Sequence, residues 1–292
     1  MRVVEKVYLI DSFKFPGIFS TYFLDFDKKV LIDPCVMNGT QIILDYLSSL
    51  GVNRLDYIAL THVHLDHMGG AAKLAKILGG KILAHPKGVK HVVNPEKLWS
   101  ISKSLMGERA EIYGKPESID ESKVLRVEDG EVFDLGDEEL LCIHAPGHAS
   151  HMVAFFLRNA KILFPSDAVG IYYSEKTFPV APSPFNYKEA IFTLEKLERL
   201  NPNKIALTHF GVAGKFCISE AMERLKFWFK LARKAETIEE LIFMIKNNDP
   251  EFSILRESPL LSFFQEIKRF EDPLCHFSLW LEGLFREAKK NN

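Results

Sequence analysis

The chain has 292 residues, of which 47% are hydrophobic and 26% are charged, and its formal net charge is −2. This composition is typical of an ordinary globular protein with one large domain, or one domain and an appendage. The near-neutral charge gives no basic surface of the kind that nucleic-acid-binding proteins carry, so we expect no nucleic-acid partner.

The N-terminus and the cysteines favour a cytoplasmic protein. The longest apolar run near the N-terminus, residues 7–10, is too short for the core of a signal peptide, and no stretch approaches the length of a membrane span. The four cysteines, Cys35, Cys142, Cys217 and Cys275, show no C-x-x-C spacing. Reduced thiols are the simplest interpretation of this pattern. We therefore expect a cytoplasmic chain with no membrane partner.

The first third of the chain alternates predicted strands and helices. Apolar or β-rich segments predict strands at residues 3–9, 20–26, 29–32, 57–60 and 81–84. Helical spacing of apolar residues predicts helices at residues 40–50 and 71–78. This order is typical of a layered α/β architecture.

Residues 88–120 interrupt this rhythm with prolines and glycines, which predict helical turns and loop, an insertion able to line a pocket. Beyond it, a helix is predicted at 187–200. Further strands are predicted at 124–127, 131–135, 139–144, 152–157, 161–164 and 204–207. From Ile218 onward, apolar stripes predict helices.

The stretch THVHLDHMGG carries the strongest chemical signal. His62, His64, Asp66 and His67 lie within six residues, directly after a predicted buried strand. Imidazole nitrogens and carboxylate oxygens are common ligands of Zn²⁺, Fe and Mn²⁺. Four such groups packed so closely cannot all bind one tetrahedral ion without strain, so two neighbouring ions are plausible. The glycine pair that follows would allow a tight turn into a helix.

The run H-x-H-x-D-H resembles the signature of the metallo-β-lactamase superfamily, nearest its glyoxalase II and lactonase branches. The resemblance covers residues 1–215 and implies a four-layer αββα sandwich with a binuclear metal site at one edge. We therefore expect a catalytic domain over residues 1–215, with the insertion at 88–120. Residues 216–292 would form a helical extension packed on it.

Three later motifs match the remaining ligands of that family in chain order. His148 in HAPGHASHM matches its lone histidine, Asp167 in KILFPSDAVG matches its carboxylate, and His209 ends the second of two IALTH pentapeptides. The neighbouring His144 and His151 are better interpreted as core or supporting residues. The resemblance implies that His62, His64 and His148 hold one ion, that Asp66, His67 and His209 hold the other, and that Asp167 bridges them.

Three other residues have weaker predicted roles. Asp33, at the end of the strand in VLIDPC, matches a family aspartate that orients a ligand histidine. Tyr172 or Tyr173 would reach a substrate carbonyl if it acted like a tyrosine of the lactone-hydrolysing branch, although ordinary packing explains both equally well.

The resemblance implies a metal-dependent hydrolase in which a metal-bridging hydroxide attacks a small ester, thioester or lactone. Asp66 would steer the proton as well as bind metal. Two divalent ions are expected, with Zn²⁺ favoured over Fe or Mn²⁺. The alternative is a mononuclear-iron sulfur dioxygenase that uses His62, His148 and Asp167. A β-lactamase, a nuclease and a non-enzymatic binding protein are less favoured.

Substrate specificity is predicted to reside in the insertion and the helical extension. Both are rich in aromatic residues, which would suit a lid over a small-molecule substrate or the interface of a homodimer. These residues are Trp99, Trp228, Phe263, Phe264 and Trp280.

Overall fold

Two large β-sheets and one small hairpin contain the strands of the part of the chain that the structure describes. The computed structural model describes residues 1–209, 211–259 and 277–290. The first sheet contains β1 (Arg2–Val4), β2 (Val7–Asp11), β3 (Ser20–Asp25), β4 (Lys29–Ile32), β5 (Tyr57–Ala59), β6 (Lys81–Ala84) and β7 (Val124–Arg126), in that order. The second contains, from edge to edge, β15 (Gly211–Ala213), β14 (Lys204–Leu207), β11 (Ile162–Phe164), β10 (Val153–Leu157), β9 (Glu139–His144) and β8 (Val132–Asp134). The hairpin pairs β12 (Ile171–Tyr173) with β13 (Lys176–Phe178).

Helices cover the outer face of each large sheet. Those that follow strands of the first sheet are α1 (Thr40–Ser49), α2 (Leu65–Met68), α3 (Ala71–Leu78), α4 (Val89–Val93), α5 (Glu96–Met106) and α6 (Glu108–Tyr113). Those that follow strands of the second are α7 (Tyr187–Arg199), α8 (Phe216–Lys234), α9 (Ile238–Asn248) and α10 (Phe277–Lys289). Short 3-10 segments include Met37–Gly39, Ser166–Ala168 and Pro250–Glu257.

The alternation of side chains along the strands produces four layers. In β10, Val153, Phe155 and Leu157 pack into an apolar cluster between the two sheets, whereas Ala154 and Phe156 pack into a second cluster beneath α7 to α10. The first sheet packs a third cluster against α1, α3 and α4. Successive strand residues point to opposite faces, and here the residues on both faces are apolar. Each sheet is therefore covered by the other sheet on one face and by helices on the other. The resulting αββα sandwich confirms the predicted fold.

The two sheets meet at one rim. Strands β4 to β7 run parallel, and so do β11 and β14, so the carboxyl ends of the parallel strands carry the loops of this rim. Two backbone bonds cross between the sheets there. The Val153 amide donates to the Thr61 carbonyl at 2.7 Å, and the Ser20 amide donates to the Thr208 carbonyl at 2.7 Å.

The predicted elements agree with the structure in most places, and the differences have local causes. The bounds of β4, α3, β6, β9 and β14 are as predicted. The strand predicted at 3–9 is divided into β1 and β2 by a turn at Lys6, whose φ is 62°. The insertion is more regular than predicted, because it contains α4, α5 and α6. The hairpin and β15 were not predicted.

The C-terminal helices complete the core beneath the second sheet. Trp228 of α8 is 1% exposed, and its indole Nε1 donates to the Asp249 carboxylate at 2.9 Å. Arg224 donates to the same carboxylate at 2.9 Å and also to the carbonyl of Thr177 in β13. Trp228 is therefore a packing residue. The predicted aromatic residues Phe263 and Phe264 lie outside the described residues, and the homodimer stays a prediction. No helix in the described ranges is long and apolar enough to cross a membrane.

Candidate metal centre

The rim where the sheets meet carries every predicted ligand. His62 follows β5 by three residues, His64 precedes α2, and α2 itself carries Asp66 and His67. His148 lies in the loop between β9 and β10. The last two side chains follow β11 and β14, and they are Asp167 and His209. The topology therefore brings residues from both halves of the chain to one place.

The two glycines after the histidine cluster are needed for close packing. Both lie in the turn that joins α2 to α3, which confirms the predicted turn into a helix. The turn itself does not require glycine, because Gly69 has φ −51° and Gly70 has φ −84°. A Cβ atom on Gly69 would lie 2.5 Å from the Leu65 carbonyl oxygen, and one on Gly70 would lie 2.6 Å from the Pro34 carbonyl oxygen. The glycines let α2 and α3 pack against the loop that follows β4.

The ligand-type side chains gather in two adjacent groups. One contains His62, His64, His148 and Asp167, and the other contains Asp66, His67 and His209. Within each group, one nitrogen or oxygen atom per residue lies within 4.8 Å of every other. These are the two sets that the resemblance implied.

Asp167 lies between the groups. One oxygen, Oδ2, is 3.4 Å from His148 Nε2 and 3.6 Å from His67 Nε2. The other, Oδ1, is 3.4 Å from His209 Nε2. This carboxylate faces both groups, as a bridging ligand requires.

Hydrogen bonds orient three of the imidazoles. His148 Nδ1 donates to the Val180 carbonyl at 2.8 Å. His67 Nδ1 donates to Asp33 Oδ2 at 2.9 Å, and His209 Nδ1 donates to the Ile18 carbonyl at 3.2 Å. A ring nitrogen that donates its hydrogen leaves the opposite nitrogen, Nε2, with a free lone pair. In the neutral ring, each of these Nε2 atoms therefore faces the centre with a lone pair able to bind metal.

Asp33 is the hub of a buried polar network beneath the centre. Its side chain is 1% exposed and accepts the backbone N–H of Thr61 at 2.8 Å. The hydroxyl of Thr61 donates to it at 2.7 Å and that of Thr208 at 2.9 Å. Ser166 lies 3.4 Å away. Asp33 and Ser166 have φ values of 48° and 50°, a backbone region that non-glycine residues rarely adopt and that often marks a functional site.

Burial and the buried charges set the protonation states of the ligands. Burial lowers the pKa of His62, His64 and His148, so these rings are neutral; neighbouring histidines lower it further in His62 and His64, whereas Asp167 opposes the shift in His148. Burial also opposes charge on His67, but the carboxylates of Asp167, Asp33 and Asp66 outweigh it and raise its pKa, so a metal ion would displace a proton from this ring. Burial opposes charge on Asp167, but the imidazoles of His67, His209 and His148 outweigh it and hold its pKa well below the usual range. Neutral imidazoles and an ionised carboxylate are the forms that coordinate metal.

Two buried polar atoms in the centre have no hydrogen-bond partner, His67 Nε2 and Asp167 Oδ1. A buried polar atom without a partner costs roughly 1–3 kcal/mol. Both atoms belong to the ligand groups and point between them. The donor set, the ring orientations and these two atoms fit a divalent metal site.

A cavity of about 210 Å³ opens directly onto the two groups. Its wall includes His64, Asp66, His148, Asp167 and His209. Apolar side chains from the loop before β3, the insertion, the hairpin and α10 complete it: Ile18, Phe19, Leu105, Met106, Ile171 and Trp280. The insertion and the helical extension both contribute side chains to this wall, and their role in specificity stays a prediction.

Two of the predicted residues lie away from this cavity. Tyr172 packs against the cluster beneath the C-terminal helices, and burial together with Glu175 and Cys217 raises its pKa. Tyr173 donates to the Glu257 carbonyl at 2.7 Å. The geometry does not support a catalytic role for Tyr172.

The cavity contains two functional-type residues that the sequence analysis did not single out, Arg109 and Tyr113 of α6. Their spacing of four residues places both on one face of the helix, a signal that was available in the sequence. Cys35, close to Asp33, is no thiolate, because burial raises its pKa to about 12.

Several known proteins are similar to this chain in sequence and in fold. Residues 16–209 match the family model described as the metallo-beta-lactamase superfamily. The protein ST1585 of Sulfurisphaera tokodaii, described as metallo-beta-lactamase fold-containing, is 30% identical over 73% of this chain and 80% of its own. Its crystal structure superposes with a TM-score of 0.68, covering 76% of this chain and 87% of that one.

Two further relatives have names that state an activity. A UPF0173 metal-dependent hydrolase of Thermofilum pendens is 25% identical over 56% of this chain and 81% of its own. A hydroxyacylglutathione hydrolase of Serratia proteamaculans is 29% identical, over 48% of this chain and 42% of its own.

Proposed function

The chain belongs to the metallo-β-lactamase superfamily, and on that premise we propose that it is a binuclear, zinc-dependent hydrolase of a small ester, thioester or lactone. The match to metal-dependent hydrolases and the clustered ligands support a metal-dependent enzyme. The number of ions, their identity and the substrate class belong to the proposal.

One observation carries the proposal of two ions. Two complete ligand groups face each other across a single carboxylate, and each holds an unpartnered buried atom, Asp167 Oδ1 or His67 Nε2. A single ion bound by the first group would leave the three side chains of the second, Asp66, His67 and His209, without a metal to bind. His62, His64 and His148 would hold one ion and these three the other, with Asp167 between them. Zinc is favoured because imidazole and carboxylate are its usual ligands here.

Different residues of the chain would have different roles in hydrolysis. Divalent ions held at the centre would supply Lewis-acid chemistry. Asp66 is 24% exposed on its side chain and faces the cavity, so its carboxylate can take a proton from the attacking water and return it to the leaving oxygen or sulfur. Asp33 keeps His67 in its orientation, and the apolar side chains of the cavity would contact the acyl group. An ester or thioester then yields a carboxylic acid and an alcohol or thiol, and a lactone yields one hydroxy acid.

The comparisons favour esters and thioesters as substrates over β-lactams. Hydroxyacylglutathione hydrolase, by its name, cleaves a thioester. The solved β-lactamases that share the fold are 18% identical or less, which supports the fold alone. The cavity is also mainly apolar around the metal ligands, which suits a small acyl group.

Metal content and hydrolysis test the proposal together. Protein purified without added metal is analysed by elemental mass spectrometry, and then assayed on aryl esters, thioesters and lactones before and after a chelator. We expect close to two zinc ions per chain, and activity that the chelator removes and zinc restores. One iron per chain, with oxygen uptake on sulfur compounds, would replace the hydrolase proposal with sulfur oxidation. No bound metal after reconstitution would refute the ligand assignment.

A further inference from the structure

A buried cation lies in the wall of the same cavity as the metal ligands. Arg109, on α6 of the insertion, is 8% exposed, and it is the one lysine or arginine among the described residues lining that cavity. A guanidinium carries five N–H donors in a planar fork. It can therefore hold a neighbouring protein group and still present donors to the cavity.

The helix that carries Arg109 is fixed against the metal centre. Gly107 and Gly114, with φ values of 58° and 83°, bound α6. The Asn38 carboxamide donates to the Ile112 carbonyl at 3.0 Å, which ties the end of α6 to the segment following Asp33.

Aromatic contacts complete this connection. The ring of Tyr113 lies 5.6 Å from that of Phe19, which in turn lies 5.4 Å from the ring of His209. The position of the guanidinium relative to the metal ligands is therefore set by packing, as a binding residue requires.

The charges around the cavity favour an anion once metal is bound. The carboxylates of Asp66 and Asp167 belong to the ligand groups, so bound divalent ions would neutralise them. The remaining acidic side chain of the wall, Glu282, already accepts a hydrogen bond from Arg286 at 2.5 Å. Positive charge at the metal centre and at Arg109 would then lie at two points of one apolar cavity, where electrostatic attraction is only weakly screened.

We propose that Arg109 binds an anionic oxygen group of the substrate, a carboxylate or a phosphate, placed away from the acyl bond that is cleaved. The substrate is then a negatively charged acyl compound whose aliphatic portion lies against Phe19, Met106 and Trp280. This inference rests on the proposed hydrolase function and narrows it to one substrate class.

Matched aryl esters test the proposal on the zinc-loaded protein. The probes are p-nitrophenyl hydrogen adipate, its methyl ester, and a p-nitrophenyl ester that ends in a phosphonate. They share one leaving group, and the first two differ by a single negative charge. The variants are Arg109→Met, Arg109→Lys and the control Arg54→Met, which removes an arginine whose side chain is 79% exposed.

We expect the parent protein to prefer an anionic ester over the neutral one. Arg109→Met should raise KM for the preferred anionic ester by roughly tenfold or more, because a charge-assisted hydrogen bond is lost, and should leave the neutral ester unchanged. The KM of Arg109→Lys for this ester should lie between those of the parent and of Arg109→Met. If the methionine variant folds poorly, the lysine variant still tests the proposal. The preferred anion distinguishes carboxylate from phosphate. An equal loss on charged and neutral esters, or no preference in the parent, would overturn the proposal.

A binding measurement separates this proposal from the hydrolase proposal. If no ester is cleaved, the hydrolase proposal is in doubt, and calorimetric titration with adipic acid monoamide still tests Arg109. Tighter binding to the parent than to Arg109→Met would support the anion site. Equal affinities would mean that the probe binds elsewhere and would refute it.

Discussion

The hydroxyls of Thr61 and Thr208, which lie at equivalent positions of the two IALTH pentapeptides, both donate to the carboxylate of Asp33, at 2.7 and 2.9 Å. Each threonine is followed by a histidine of the metal centre. One half of the chain supplies Thr61 after β5, and the other supplies Thr208 after β14. The repeated pentapeptide thus ties both sheets to one buried charge.

Replacing these threonines should destabilise the protein jointly. Thr208→Val removes one donor from a buried carboxylate, and we expect a loss of about 1–3 kcal/mol in the free energy of unfolding. Thr61→Val should cost at least as much. Because both bond to Asp33, the double variant should deviate from the sum of the single losses by about 0.5 kcal/mol or more. Urea denaturation of the four proteins measures this, and additive losses would show that the two bonds are independent.

Asp33→Asn should weaken metal binding more than it changes the fold. The carboxylate accepts the Nδ1 hydrogen of His67 at 2.9 Å, and loss of such a supporting bond typically costs about tenfold to 100-fold in metal affinity. Competition with a chromogenic chelator measures the affinity. Asp45→Asn, on the exposed face of α1, serves as the control. Unchanged zinc affinity in Asp33→Asn would contradict the orienting role.

Asp249→Asn should destabilise the C-terminal helices without altering metal content. This carboxylate is 6% exposed and accepts bonds from Arg224 and Trp228. Arg224 keeps its ion pairs with Glu220 and Glu251, so the change weakens two buried hydrogen bonds without leaving the guanidinium unpaired. We expect a loss of about 1–3 kcal/mol in the free energy of unfolding. Asp137→Asn, which breaks an exposed pair with Lys6, should have no measurable effect. If Asp249→Asn changed the free energy of unfolding as little as Asp137→Asn does, the bonds of Asp249 with Arg224 and Trp228 would not stabilise the fold.

His85 should make the protein less stable in mild acid. Burial lowers its pKa to about 4, and its Nδ1 accepts the Lys87 amide at 3.0 Å, which requires a neutral ring. Between about pH 6.5 and pH 4 the unfolded chain therefore binds a proton that the folded chain does not. The contribution of His85 to the free energy of unfolding is fully present above this window and is lost as the pH falls through it. His85→Asn should reduce this fall. Urea denaturation of both metal-free proteins at about pH 7 and pH 5 gives the difference; parallel losses would exclude His85 as the cause.

Tyr172→Phe should leave hydrolysis unchanged. The side chain packs beneath the C-terminal helices rather than in the cavity, so removing its hydroxyl should alter kcat/KM by less than about twofold, within the small range of changes away from a site. Steady-state kinetics on the preferred ester measure this. A loss of activity without loss of metal or stability would restore the catalytic role predicted from the sequence.

The sequence predicted the layers and the ligand groups because both have strong local signals. The continuous apolar run of β10 and the helical stripe of α3 reflect burial, and H-x-H-x-D-H has a spacing that few structural segments share. Arg109 was not predicted, because an arginine on a helix of six residues usually lies on the surface. Its burial depends on how the insertion packs against Phe19. Likewise, the pentapeptide repeat was visible in the sequence, but the shared bond to Asp33 depends on the two sheets facing each other.

The backbone bonds that join the sheets at their rim restrict how a substrate can enter. Val153 is bonded to the Thr61 carbonyl, and Ser20 to the Thr208 carbonyl, so separating the sheets would break bonds on both sides of the ligands. Access then depends on the elements outside the sheets. Helix α5 lines the cavity with Leu105 and Met106, yet none of its side chains is fully buried. It is therefore a part of the wall that can move without uncovering a buried side chain of its own.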